Sequence, residues 1–165
     1  MTTRTFCCTT HTTPLGPVLL RASAAGLSGL WFEGQRHHPP LDVTATWSVA
    51  EDHPVLVAAA NQLDAYFAGR RSRFDLPLDL SNGTAFQQAV WQCLLALPFG
   101  QQVAYGELGA RIGRPRAARA IGSAVGRNPI SIVVPCHRVC ASDGGLAGYA
   151  GGIERKRALL DLERN

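Results

Sequence analysis

The sequence predicts an α/β protein, more closely α+β, built from two units. Three observations point there. The first half carries short Thr-, Val- and Leu-rich runs punctuated by Gly and Pro, the pattern of small strands. The second half carries apolar residues at helical spacing. Charge divides along the same line: residues 1–82 hold six basic and seven acidic side chains, net −1, and residues 83–165 hold ten and five, net +5. A chain of 165 residues, 46% of them hydrophobic, can bury a core and is not wholly disordered.

Each element has its own signal. Residues 3–10, 18–22 and 27–32 read as strands separated by turns at Gly16-Pro17 and Ala25-Gly26, an antiparallel meander. His37-His38-Pro39-Pro40 is a loop. Residues 54–68 form a helix, because Val55, Ala59, Leu63 and Phe67 recur every four residues, Asp52 lies near the start and Gly69 can end it. Residues 74–80 alternate, but Pro77 demotes them to an edge strand or connector. Ser81-Asn82-Gly83 marks the boundary between units 1–82 and 83–165. Thr84 N-caps a helix running to Leu97, stopped by Pro98 and Gly100. Residues 105–112 and 116–125 are short helices joined by Gly113-Arg114-Pro115, with Pro115 at the first helical position, a helix-turn-helix pattern. Residues 130–134 are a β-branched apolar run, hence buried and extended, that delivers Pro135-Cys136-His137-Arg138-Val139. A glycine-rich loop over 143–152 and an amphipathic helix over 153–162 complete the chain.

Fifteen of the 16 basic residues are Arg, and Lys156 is the single Lys. Arg forks onto phosphate and stacks on bases, which suits a nucleic-acid partner, although a GC-rich genome would produce the same bias. The charge split places any such contact in the second half. No apolar run reaches the length of a membrane span. The five cysteines, an odd number without a secretory signal, point to reduced thiols and a cytoplasmic setting. Cys7, Cys8 and His11 cluster but lack a clear fourth ligand, so no metal is expected. Gly145, Gly148 and Gly151 match no phosphate-binding spacing, so no nucleotide cofactor is expected. Cys136 stands out. It ends a buried run and is followed by His137 and Arg138, two cationic neighbours that would lower a thiol pKa. Adjacent side chains point apart in an extended chain, so a bridging water is the more natural relay between His137 and Cys136.

The run Ile132-Val133-Val134-Pro135-Cys136-His137-Arg138-Val139 resembles the active-site signature of the O6-alkylguanine-DNA alkyltransferases, the methylated-DNA–protein-cysteine methyltransferases. The resemblance extends through Phe86-Gln87, Val90-Trp91, Pro98-Phe99-Gly100, Tyr105-Gly106-Glu107-Leu108, Ala117-Ala118-Arg119-Ala120, Gly126-Arg127-Asn128-Pro129, Gly148-Tyr149 and Gly151-Gly152. It covers residues 84–163, and the first half fits the family's variable first domain only loosely.

The resemblance implies direct-reversal repair. Cys136 would accept the alkyl group from O6-alkylguanine once and irreversibly, with O4-alkylthymine left open as a second substrate. His137 would be the base through a water, oriented by Glu163. Asn128 would brace the active-site segment, and Tyr105 would donate to the guanine leaving group. Arg119 would wedge into the base stack while Ala118, Ala120 and Gly122 form a slim helix face for the minor groove. Arg116 and Arg127, with Arg111 and Arg114, would contact phosphates. Val134, Val139, Tyr149 and Ala150 would line the pocket; many relatives carry a small polar residue where this chain has Ala150, so only a backbone N–H is available there. The partner would be double-stranded DNA, bound by a monomer without a cofactor and away from membranes, with cooperativity on DNA open. Two alternatives remain: a non-transferring sensor of alkylated DNA, which the presence of Cys136 argues against, and a cysteine hydrolase, which would not explain the Arg-bearing helix pair.

Overall fold

The computed structural model describes residues 3–165. The chain forms two compact units, the first ending at Leu80 and the second spanning Ser81–Asn165, two residues before the boundary expected from the turn residues.

In the first unit, β1 (Cys7–Thr13), β2 (Gly16–Ser23) and β3 (Gly26–Phe32) form the expected antiparallel meander. The sheet is nevertheless mixed. A two-residue β4 (Ser48–Val49) adds parallel to β1, giving the order β3-β2-β1-β4. The chain reaches it through a short helix, α1 (Leu41–Thr44). Ser48 N–H donates to Phe6 O and Ala50 N–H to Cys8 O, so β4 covers backbone groups that an edge strand would leave open. A strand of two residues has no periodicity to read. The helix α2 (Pro54–Phe67) packs on the sheet through Leu56, Ala59, Leu63 and Tyr66. Its N-cap is His53, whose Nδ1 accepts from Val55 N–H at 3.2 Å. Residues 74–80 are a connector that touches the sheet at one bridge, Leu27 to Leu78. The opposite sheet face carries Cys8, Leu19, Trp31, Trp47 and Phe6. Buried Arg21 lies among these rings, 4.2 Å from the Phe6 centroid and 4.9 Å from that of Trp47, so its guanidinium exchanges water for π faces.

The second unit is mostly helical: α3 (Ala85–Leu95), α4 (Tyr105–Arg111), α5 (Ala118–Gly126) and α6 (Ile153–Arg164). Thr84 caps α3 through a full capping box with Gln87. The helix stops at Leu95, because Ala96 and Leu97 N–H groups turn back three residues, to Cys93 and Leu94. Two short parallel strands, β5 (Val103–Ala104) and β6 (Val139–Cys140), tie the start of α4 to the chain just after Cys136.

Two local expectations are corrected. Helix α5 begins at Ala118, not at Arg116, and Pro115 is not its first residue. Arg114 N–H donates to Gly109 O and Ala117 N–H to Arg114 O, so residues 114–117 are spent on a turn. Residues 130–134 are buried but not extended. Val134 N–H closes on Ile130 O at 2.9 Å and Val133 N–H on Ser131 O at 2.8 Å, with Ile132 at φ 70°. A β-branched residue there is a steric outlier, so this turn is held against its own preference. Among the described residues no helix is long and apolar enough to cross a membrane.

Candidate active site

The strained turn is held by Asn128. Its Nδ2 donates to Val134 O at 2.7 Å, and its Oδ1 accepts from Ile130 N–H at 3.0 Å. Both ends of the amide are used inside the protein, and each group it satisfies would cost about 1–3 kcal/mol if left buried and unpaired. The turn runs into Pro135 and a single 3-10 turn, Cys136–Arg138. Ser131 through Cys140 are all buried, so the thiol sits inside the unit and not on its surface.

His137 is fully buried, and its Nε2 lies 2.8 Å from Glu163 Oε1 on α6. Arg138 shares that carboxylate: Nε donates to Oε2 at 2.9 Å and Nη2 to Oε1 at 2.8 Å, while Nη1 donates to Leu97 O at 2.6 Å. Gly100 N–H also points at Glu163 Oε2, at 3.5 Å. Ion pairing and hydrogen bonds from His137 and Arg138 outweigh burial and hold the Glu163 carboxyl well below the usual carboxylate range. For His137 burial outweighs the carboxylate and lowers the imidazole pKa, so the neutral ring is favoured. A neutral ring that donates from Nε2 to Glu163 leaves Nδ1 with its lone pair. Nδ1 is buried and has no hydrogen-bond partner among the described residues.

The expectation that His137 and Arg138 lower the thiol pKa is overturned. Both are turned onto Glu163, and burial pushes Cys136 up to about 11. Hydrogen bonds from the Asn128 and Tyr149 side chains, the charge of Lys156 and the backbone offset only part of that. At neutral pH the group is a thiol, and reaction needs a base.

Tyr105 begins α4 and is half-buried; burial first, then the Cys136 and Cys140 thiols, raise its pKa and keep it a hydrogen-bond donor. Lys156 was singled out in the sequence only for its rarity. It is fully buried on α6, and its Nζ donates to Val139 O at 2.5 Å and to Ala147 O at 3.3 Å. It thereby fastens the loop bearing Tyr149 and Ala150, both half-buried, to β6. Val134 and Val139 are fully buried beside this segment.

Helices α4 and α5 pack together, and α5 divides cleanly. Ile121, Ala124 and Val125 are buried; Ala118, Arg119, Ala120 and Ser123 are exposed. Gly122 is half-buried, and a Cβ there would meet only the Tyr105 ring, at 4.0 Å. Packing does not require a glycine at that position. Arg114, Arg116 and Arg127 are exposed around the helix, whereas Arg111 pairs with Glu107 at 3.3 Å. The structure therefore groups Cys136, His137, Glu163, Asn128, Tyr105 and Tyr149 around one buried thiol and sets the arginines apart on an outer face. Sequence reading placed Arg138 beside the thiol but missed its tie to Glu163, and it missed the place of Lys156 at the site altogether. These partners are not sequence neighbours, and no local pattern marks the contacts.

Comparison with known proteins agrees with this division. Residues 85–165 match the family model for the 6-O-methylguanine DNA methyltransferase DNA binding domain. Residues 6–80 match that family's ribonuclease-like domain. The methylated-DNA–protein-cysteine methyltransferase of Mycobacterium bovis is 47% identical over 152 residues, covering 92% of this chain and 88% of its own. That of Methanosarcina barkeri is 45% identical over 92% of this chain and 93% of its own. The crystal structure of Mycobacterium tuberculosis OGT in complex with DNA superposes with a TM-score of 0.82 at 46% identity, over 96% of this chain and 92% of that one. Two units matched separately, in order and over nearly their full lengths, leave one assignment: the chain belongs to the 6-O-methylguanine DNA methyltransferase family.

Proposed function

We propose that this protein repairs DNA by moving the alkyl group of O6-alkylguanine onto Cys136, once per molecule. The observation that carries the reading is a buried thiol beside a His137–Glu163 pair, in a unit whose outer helix shows small residues and Arg119. An O6-alkyl group lies within the base stack, so the nucleotide is extruded to reach the thiol. The thiol proton passes through a water to His137 Nδ1, and the thiolate attacks the alkyl carbon. The S–C bond forms as the C–O6 bond breaks, and the electron pair stays on the base. Tyr105 hydrogen-bonds the developing anion, and the proton lost by the thiol ends on guanine. The thioether is stable, so no second turnover follows.

Helices α4 and α5 act as the helix-turn-helix. The slim face of Ala118, Ala120 and Gly122 enters the minor groove, Arg119 fills the gap left by the extruded base, and Arg116 and Arg127 hold phosphates. The open space beside the Gly122 Cα supports this, since an internal packing demand would have filled it. Val134, Val139, Tyr149 and Ala150 line the base pocket. The protein works as a monomer in the cytoplasm.

Intact mass after mixing with an O6-methylguanine duplex tests the reading. One methyl gained, mapped to Cys136 and absent in Cys136→Ala, is expected. An unchanged mass with the duplex bound would favour a non-transferring sensor, and continuous product release would favour a hydrolase.

A further inference from the structure

Trp91 lies on α3, on the side of the second unit that meets α5. It is 2% exposed, and its indole Nε1–H donates to Ala124 O at 2.8 Å. That carbonyl is in the last turn of α5, where helix carbonyls run out of intrahelical partners. Its remaining backbone donor is the Arg127 N–H at 3.2 Å, which is shared with Ser123 O. The ring is also fixed from its other side: a Cβ on Gly83 would meet Trp91 ring carbons at 2.2 and 2.6 Å, so Gly83 lies flat against it. The capping box of Thr84 and Gln87 sets the start of the helix that carries the ring.

Four residues after Ala124 comes Asn128, whose side chain braces the turn before Cys136. Five residues before Ala124 comes Arg119, exposed on the outer face. We infer that the Trp91 indole is a positioning residue that sets the axial register of α5, so that Arg119 and the Cys136 turn keep the spacing needed for extrusion and transfer on one duplex. The inference rests on the proposed wedge role of Arg119. The indole N–H bonds Ala124 O and not the Cys136 thiol or its side-chain partners Asn128 and Tyr149, so its loss falls on reactions that need the outer helix face and spares those that need the pocket alone.

The test compares transfer rates on an O6-methylguanine duplex and on free O6-benzylguanine, which bypasses extrusion. Two variants remove the donor: Trp91→Phe, and replacement of Trp91 by 3-benzothienylalanine, which keeps the ring shape and exchanges N–H for sulfur. In both, the duplex rate falls about tenfold, as expected of a small misplacement, while the free-base rate stays within about twofold. Equal slowing on both substrates, slowing on the free base alone, or an unchanged duplex rate would overturn the inference. The benzothienyl variant keeps the test decisive should Trp91→Phe fold poorly. Arg119→Ala, run alongside, separates the two readings. A normal duplex rate in Arg119→Ala rejects the wedge; a selective loss there with none at position 91 rejects the indole tie.

Discussion

Glu163 accepts from an imidazole, a guanidinium and a backbone N–H while almost wholly buried. A carboxylate in that setting needs its partners. Removing one leaves charge uncompensated in a low dielectric, whereas the whole group satisfied costs little. Arg138→Met is therefore expected to lower unfolding free energy by about 3–5 kcal/mol in urea titration; a change within about 0.5 kcal/mol would refute the role given to Arg138. Cys136 gives a pH prediction of definite sign. Its folded pKa, about 11, is above the ordinary 9.0, so the folded state holds the proton longer. The stability this contributes is complete below pH 9.0 and is lost as pH rises toward 11, up to about 3 kcal/mol. Thermal midpoints from pH 8 to 10.5 should fall further in the wild type than in Cys136→Ala, and parallel curves would contradict the buried thiol. At this scale the grouping of Cys136, Asn128 and His137 was legible because a spaced motif carries them. The direction in which His137 and Arg138 face was not, because it depends on Glu163, 25 or 26 residues away along the chain.

Among the elements, α2 was legible nearly to the residue and α3 at its start, because those ends carry chemistry: Gly69 at φ 73° beyond one, Thr84 with Gln87 before the other. Helix α5 was misplaced by two residues because Pro115 suits a turn as well as a helix start. The run 130–134 was misread because a short apolar β-branched stretch looks alike as strand or as buried turn. Only the Asn128 hydrogen bonds, outside the run, decide between them. Helix α5 also offers its own test. Gly122→Ala has room for the new methyl and should raise stability by roughly 0.5–1 kcal/mol through helix propensity. Gly122→Leu should fold as well and bind duplex more weakly, because the added bulk stands on the outer face. Loss of the thermal transition in Gly122→Ala would show instead that the position is packed.

Across the whole molecule, the division into a faintly acidic first unit and a basic second unit was visible in the charge count, and it coincides with the two compact units. What the count did not show is that the excess is unequal in use. Arg138 is spent on Glu163 and Lys156 on backbone carbonyls, and Arg111 is offset by Glu107. On α6, Arg155 bonds Gly151 O, Arg164 pairs with Asp161 and Arg157 is exposed, while Arg114, Arg116, Arg119 and Arg127 stand exposed around α5. With Arg119 kept for the base stack, three phosphate contacts from Arg114, Arg116 and Arg127 predict that log affinity for undamaged duplex falls against log salt with a slope of about −3, and Arg114→Ala should reduce it by about one. A slope near zero would remove the phosphate role. The burial of Lys156 has a further consequence. Because this is the chain's single lysine side chain and its ammonium is bonded on two sides, an amine-selective reagent finds no lysine on the folded surface. Labelling at Lys156 can proceed only when the loop at Ala147 lifts from β6, so its rate becomes a clock for the opening of one segment, read from one atom.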